Sequence, residues 1–583
     1  MPGKTLRTAL LGLLLALTAL IPAKNFAEDS IDEAVKDEAE SFWTPDVKTS
    51  TKLMLKIGKM IITAPEVNNP APVPDAAAKK NGFILFKRAL SEPINYNTNP
   101  RKEEVNPPAI ELLGCPGEAL PFLLGIFPLA EGTVSASISD LTGASGIVVA
   151  KDNVELRSIK HMLKQGSMAC VVMPEISVKE SEFKLKPGIT RPVLSVLQIP
   201  VEAKPGSYKG TLSFKSKGGL AEVTIKLEVL PFKLEISPSM TFGWAMGPKD
   251  EKTFGLFKEL GCNSVSEGLE PLVLAVSGGS VKLDFSKADK MAALIKKYGM
   301  ADYEQRIHSA DVGNMIAQSG NLPELSSGYL AAYKDAIMQI QDWKKDRGIK
   351  AAYWIADRVF NKPPYPGNKS MEYCMKVLKT IREIPGVRIG VNPTSDGDGE
   401  TQYAPMVAEL DIAGLYSDQR CKKVLAAGRT KGNIDLYDAG RSRIAWGFLP
   451  WKHRAVGRTE LSFMGWDEKV SRSPKSASSS VSSFAPCGIA YPEKDSFNTT
   501  TAFELVREGI NDYRYIYTLE LLISAAAKDK NKEENALAER AKAVLETIRE
   551  KIPEYSAEAG KIDGQCGEWR KRIIEEVKKL RKL

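Results

Sequence analysis

The stretch Ile349–Phe360, IKAAYWIADRVF, decides the reading of this chain. It is a short apolar run that ends abruptly in an acid, Asp357, and then a base, Arg358. The segment before it, Tyr329 to Lys345, has the spacing of an amphipathic helix. A helix feeding a near-continuous apolar run predicts a buried parallel strand, because both faces of such a strand must avoid water. In a (β/α)8 barrel, polar side chains at the C-terminal ends of the strands build the active site. Asp357 is therefore the first candidate for a catalytic residue.

Working outward, the same alternation repeats. From Thr241 to Gly440 seven strand-then-helix units follow one another, with TFGWAMG, NSVSEG, MADYEQRIH, AAYWIADR, VRIGVNPTSD, LDIAGLYSD and NIDLYDAG as the strands. That regularity predicts a parallel sheet, and the count favours a closed barrel. The eighth strand is open between GRTELSFMGW and CGIAYPE, which flank the Ser-rich SRSPKSASSSVSS. Upstream, Tyr208, Gly210, Leu212 and Phe214 alternate with polar residues, as do Val223, Ile225, Leu227 and Val229, with Lys217-Gly218-Gly219 as the turn between. This is a hairpin with one buried face, and the region from Gly82 onward reads as a β-sandwich. Downstream, Phe503, Val506, Ile510, Tyr513, Tyr517 and Leu521 step by three or four residues, and two further stripes follow. The expected organisation is multidomain, β plus α/β: a signal peptide at 1–27, an N-terminal segment and linker at 28–81, a β-sandwich at 82–236, a TIM-like (β/α)8 barrel at 237–500, and a helical region at 501–583.

The totals bound the function. The 583 residues, 43% hydrophobic and 26% charged, suit two or more globular domains. Residues 1–27 carry a basic start, an apolar TALLGLLLALTALIPA and a small residue at Ala27, which reads as a secretory signal; the alternative is an uncleaved anchor, for which the run is slightly short. The mature protein is expected to be secreted or periplasmic, with no stable membrane span. Net charge is +8, and the basic excess sits largely in the final KKLRKL, which reads as a solvated helix end; no nucleic-acid partner is expected. There is no GxxxxGK[ST] loop and no GxGxxG in a βαβ setting, so no nucleotide is expected either. Seven cysteines are scattered without a CxxC pair, and only His161, His308 and His453 are present, so neither a disulfide framework nor a metal site is expected, and no cofactor.

The chemistry must then come from strand ends. Trp244, Glu267, Asn392, Tyr416, Asp418 and Tyr437 fall there together with Asp357 and Arg358, accompanied by Tyr303, His308, Asp396 and Asp438. Carboxylates converging with aromatic rings suit a sugar, because ring faces stack on pyranoses and paired acids cleave glycosides. Each such residue taken singly can also be a cap or a loop hydrogen bond.

Several segments resemble glycoside hydrolase family 123 and the related domain of unknown function 4091. PVEAKPGSYKGTLSFKS…VTIKLEVLPFKL is similar to the end of that family's N-terminal sandwich, and LGCPGEALPFLLGIFPL to its earlier Gly-Glu segment. FKELGCNSVS and LYDAGRSRIAWGFLPWKHRAVGR resemble barrel segments. YPEKDSFNTTTAFELVREGINDYRYIYTLE resembles the family's close, with Arg507, Gly509, Asp512 and Tyr513 in place. The resemblance spans roughly 82–520. It implies a secreted, carbohydrate-directed protein acting on N-acetylhexosaminides by substrate-assisted retention, with an Asp-Glu pair at the end of strand four. There the Asp orients the substrate acetamide and the Glu protonates the leaving oxygen. Asp357 stands where the Asp is expected, but Arg358 stands in place of the Glu. A guanidinium does not release its proton near neutral pH, so Arg358 cannot be that acid; it can pair with Asp357 or bind an anionic sugar substituent. Two readings follow. One is a glycoside hydrolase with another acid, drawn from Glu267, Asp311, Asp396 or Asp418. The other is a non-catalytic carbohydrate-binding relative. An exported structural protein with a decayed pocket stands behind both.

Overall fold

The computed structural model of the chain describes residues 52–53, 61–63, 69–165, 169–360, 369–393, 406, 409–416, 433–437, 440–464, 488–492, 496–528, 531–554 and 559–582. The proposed signal peptide, the Ser-rich insertion, Asp396, Asp418 and Asp438 lie outside the described residues, as do the side chains of Asp357, Arg358, Tyr416 and Tyr437.

Two sheets come first. One runs through strands Ala169–Lys179, Val154–Gln165, Arg191–Gln198, Ala119–Pro128 and Phe83–Arg88; the other through Glu182–Leu185, Gly132–Ile138, Gly206–Ser216, Leu220–Val229 and Ala109–Gly114. Alternate side chains from both sheets, including Leu85, Leu124 and Val193 from one and Val134, Leu212, Phe214 and Ile225 from the other, share one apolar core. The hairpin read from periodicity pairs in register from Gly206↔Val229 to Lys215↔Leu220. Its turn has no room for a side chain at Gly218, where a Cβ would lie 1.9 Å from the Lys80 carbonyl oxygen.

The barrel follows. Its strands are β1 (Thr241–Met246), β2 (Ser264–Val265), β3 (Gln305–Ile307), β4 (Ala351–Phe360), β5 (Ile389–Pro393), β6 (Ile412–Tyr416), β7 (Asn433–Tyr437) and β8 (Gly457–Ser462). Parallel ladders run β2-β1-β8-β7-β6-β5-β4-β3. Strand eight is therefore the GRTELS segment. The competing CGIAYPE segment contributes Ala490–Pro492, which pairs with Phe497–Thr500, and that strand joins the first N-terminal sheet alongside Ile176 and Ser177. The β2–β3 seam carries no backbone ladder. Side chains bridge it: Val265 N donates to Gln305 Oε1 (2.8 Å), Gln305 Nε2 to Asn263 O (3.2 Å), and Ser264 Oγ to Glu304 O (2.7 Å).

The helices around the barrel include α1 (Glu251–Glu259), α2 (Ser286–Lys297), α3 (Ser309–Gly320), α4 (Ser327–Arg347), α5 (Met371–Arg382), and the short α6 (Arg443–Trp446) and α7 (Phe448–Lys452). Local signals set several of their ends. Asp250 and Ser326 cap α1 and α4 by accepting from backbone amides three residues on, and Gly348 ends α4 in the left-handed region. Two insertions interrupt the simple alternation: a hairpin, Leu272–Ser277 with Ser280–Asp284, precedes α2, and α3 precedes α4. Three long helices close the chain, α8 (Thr501–Ala526), α9 (Lys532–Lys551) and α10 (Cys566–Leu580).

The opening of α8 is buried on nearly all sides, charged residues included. Asp512 holds two guanidinium groups, accepting from Arg443 Nε (2.7 Å) and Arg570 Nε (2.6 Å). Arg570 also reaches Glu508 (3.0 Å) and Glu118 (3.5 Å), and Glu118 accepts from Tyr515 Oη (2.8 Å) and Cys115 N (2.9 Å). One charge node thus joins the N-terminal sheets, the segment after β7, α8 and α10. The residues that carry the resemblance at Gly117-Glu118 and at Gly509…Asp512 are architectural here. Gly509 lets α8 approach α6, since a Cβ would sit 2.7 Å from Arg443 O and 2.8 Å from Trp446 Cβ.

Candidate functional site

The barrel lumen is built from polar pieces. Arg306 of β3 pairs with Asp435 of β7, donates to Thr459 of β8, and lies 4.2 Å over the ring of Trp354 from β4. All four are at most 6% exposed. Gly390 and Gly414 make the space for the indole, because a Cβ on either would approach it to 2.9 or 3.1 Å. A cavity of ≈ 10 Å³, room for about one water, lies among Thr241, Arg306, Ala352, Trp354, Ile412 and Asp435, toward the N-terminal ends of the strands. Trp354 and its cation thus plug the lumen, and the mouth lies on the far side, at the strand C-termini.

At that mouth β4 is irregular. Ala356 pairs with Val391 and Val359 with Pro393, so Asp357 and Arg358 together face the single residue Asn392. This two-against-one count is a β-bulge, a device that re-aims side chains and recurs beside active sites. Asn392 is 1% exposed, against Gly414, whose Cβ would fall 1.7 Å from Asn392 Oδ1. Tyr416 and Tyr437 occupy the last positions of β6 and β7 and pair with each other in register.

The described ionisable groups of the rim include Lys249 after β1, Glu267 and Glu270 after β2, and His308 after β3. Glu267 is partly buried, 3.8 Å from Lys249 Nζ. Burial pushes its carboxyl above the ordinary range; Lys249 and His308 pull it down, Glu270 adds to the rise, and Lys287 lowers it. Glu270, which sequence reasoning missed, accepts from Gly268 N (2.9 Å) and from His308 N (2.8 Å). Its partner lies 38 residues away, so no local pattern marked it.

Two expectations need correction. Trp244 does not offer a face to the mouth. It shares its side of β1 with Phe242, stacks on Trp446 (5.3 Å between ring centroids), and is 0% exposed. Strand parity puts it outside the lumen, under the surrounding helices. Tyr303 precedes β3 and so lies at the opposite end, in a turn where its amide donates to Met300 O. Asp311 is exposed in the first turn of α3. His453 meets Glu554 O at 3.2 Å, and burial lowers its pKa. Among the described residues there is no cluster of three potential metal ligands, and no helix is long and apolar enough to cross a membrane.

No protein-family profile matches the sequence, and no curated protein does. Among solved structures the chain is similar to a family 123 glycoside hydrolase from Clostridium perfringens, described for glycolipid glycan hydrolysis. The TM-score is 0.59 at 14% identity, over 85% of this chain and 99% of that one. A termite-gut GH10 xylanase with a bacterial Ig-like domain follows at a TM-score of 0.31 and 10% identity, over 70% of this chain and 100% of that one; a likeness that slight carries no argument. The first likeness concerns the fold. The chain has the architecture of a family 123 glycoside hydrolase, in keeping with the resemblance seen in its motifs.

Proposed function

We propose that this chain is an exported, carbohydrate-directed hydrolase working at the C-terminal mouth of its barrel, with Asp357 and Glu267 as its two carboxyl groups. The two N-terminal sheets with their common core are read as a β-sandwich at 82–236 that flanks the barrel at 237–500. The substrate class is a glycan containing N-acetylhexosamine or an acidic sugar.

The observation that carries the reading is Glu267. Arg358 cannot donate a proton, and Glu267 is a rim carboxyl whose burial favours the protonated form, as a general acid requires. It comes just after β2, two strands from β4 around the barrel, so the two carboxyl groups belong to the same arc of the mouth, where a bound sugar would lie between them. On an N-acetylhexosaminide the acetamide oxygen bonds to the anomeric carbon as the glycosidic C–O bond breaks, and the Glu267 carboxyl gives its proton to the departing oxygen. The resulting carboxylate then takes a proton from water, whose oxygen opens the oxazoline at the same carbon. Asp357 orients the acetamide throughout. Arg358, Asn392, Tyr416, Asp418 and Tyr437 are assigned to sugar binding.

A second reading, binding without turnover, is favoured by one fact: Arg358 occupies the position where the resemblance expects the acid. Release of aryl and alkyl alcohols from N-acetylhexosaminides and acidic glycosides decides between them. The hydrolase reading expects turnover by the wild type, with losses of about 10²–10⁴-fold in Glu267→Gln. That loss is larger for alkyl than for nitrophenyl leaving groups, which need little protonation, and Asp357→Asn also falls. A silent wild type with activity gained in Arg358→Glu establishes the binding reading. An active wild type indifferent to Glu267→Gln removes Glu267 as the acid.

A further inference from the structure

Glu270 has no place in the reaction above, yet it is one of the best-anchored groups at the mouth. Its carboxylate spans two backbone amides, Gly268 N at 2.9 Å in its own loop and His308 N at 2.8 Å at the start of α3. The loop is constrained on its other side too. Gly268 sits at φ +92°, a conformation that favours glycine, and a Cβ there would lie 2.6 Å from Met291 Cε of α2. Leu269 is 0% exposed. Glu267 is therefore carried on a short loop pinned at both ends, with the Glu270 charge beside it.

We infer that Glu270 is a positioning residue that holds Glu267 at the rim and sets the pH range over which Glu267 keeps its proton. This rests on the reading of Glu267 as the acid, but it makes a claim of its own. Hydrogen bonds to a charged acceptor are roughly twice as strong as those between neutral groups, so the two-amide bridge holds the loop. A second carboxylate nearby opposes ionisation of the first. The charged and titratable groups facing Glu267 are Lys249 after β1, Glu270 in its own loop, His308 after β3, and Lys287 on α2. Two signs follow. Removing the Glu270 charge lowers the Glu267 midpoint, and removing Lys249 raises it.

The test is a titration of Glu267 by carboxyl-carbon NMR in the full chain, with Glu267→Gln assigning the resonance. Glu270→Gln keeps the size of the side chain but presents an amide N–H₂ to one of two backbone donors. It is expected to move the Glu267 midpoint down, while Lys249→Met moves it up. Where the wild type turns over substrate, the alkaline limb of kcat/KM moves the same way, because a general acid is lost as pH rises through its midpoint. Circular dichroism and the urea midpoint of each variant confirm that the comparison is between folded proteins. An unchanged Glu267 midpoint in folded Glu270→Gln overturns the inference, whatever the activity. Shifted midpoints in a protein that cleaves no glycoside leave the positioning role standing and overturn the hydrolase reading instead.

Discussion

His161 shows how far a single buried group can couple this fold to pH. It is 5% exposed in the first sheet, edge-on to Tyr96 at 6.1 Å, and burial lowers its pKa to about 4 from the ordinary 6.5. The unfolded chain therefore binds a proton near pH 6.5 that the folded chain refuses until about pH 4. Stability is full above 6.5 and falls as pH drops through that window, by up to about 3 kcal/mol. Urea titrations between pH 7 and 4 should show this slope, and His161→Phe should flatten it. At this scale the sequence was only partly informative. Asp357 and Arg358 were recognisable because an apolar run ended on them. Trp244 was not separable from a rim aromatic, because TFGWAMG lacks the polar alternation that marks which face is wet.

At the scale of elements, the segments with a clean period were legible. The hairpin around Lys217-Gly218-Gly219, the strand AAYWIA and the helix α4 each bury one repeating pattern, and the pattern alone specifies them. The inserted hairpin Leu272–Ser277 with Ser280–Asp284 was not, because it packs on α3 and α4 with Leu272 and Leu274 left exposed and so shows no clean alternation. The second candidate for strand eight failed for another reason: it pairs with Phe497–Thr500, and that strand is joined to the N-terminal sheet, over 300 residues earlier. The lumen adds a test of packing. Gly414→Ala would drive a methyl group into Asn392 and toward Trp354, at 1.7 and 3.1 Å before relaxation. Overpacking of that kind costs about 1–3 kcal/mol, read as a lower urea midpoint with an unchanged slope.

For the whole molecule, the node on Asp512 matters most. Asp512 is 0% exposed between Arg443 and Arg570, and Arg570 extends the node to Glu118. Removing one partner of a buried ion pair leaves charge without compensation and costs about 3–5 kcal/mol. Asp512→Asn should therefore lower stability by about that amount, measured by urea unfolding, and should loosen α10 from the rest in limited proteolysis. The node also explains why the strongest motif of the sequence says little about chemistry. The residues in VREGINDYRY join parts of the fold that are far apart in the chain. Glu267 and Glu270, by contrast, sit on a short loop whose partners Lys249 and His308 are distant in sequence.

The seam between β2 and β3 has a consequence for access. Every other junction of the barrel is a backbone ladder, but this one is latched by the side chains of Gln305 and Ser264. Net contributions of about 0.5–1.5 kcal/mol per hydrogen bond make unlatching it a matter of a few kcal/mol, well short of unfolding the sheet. The latch lies directly beneath the loop that carries Glu267 and Glu270. Parting this one seam, with the seven backbone ladders intact, would widen the mouth beside Glu267 and Glu270.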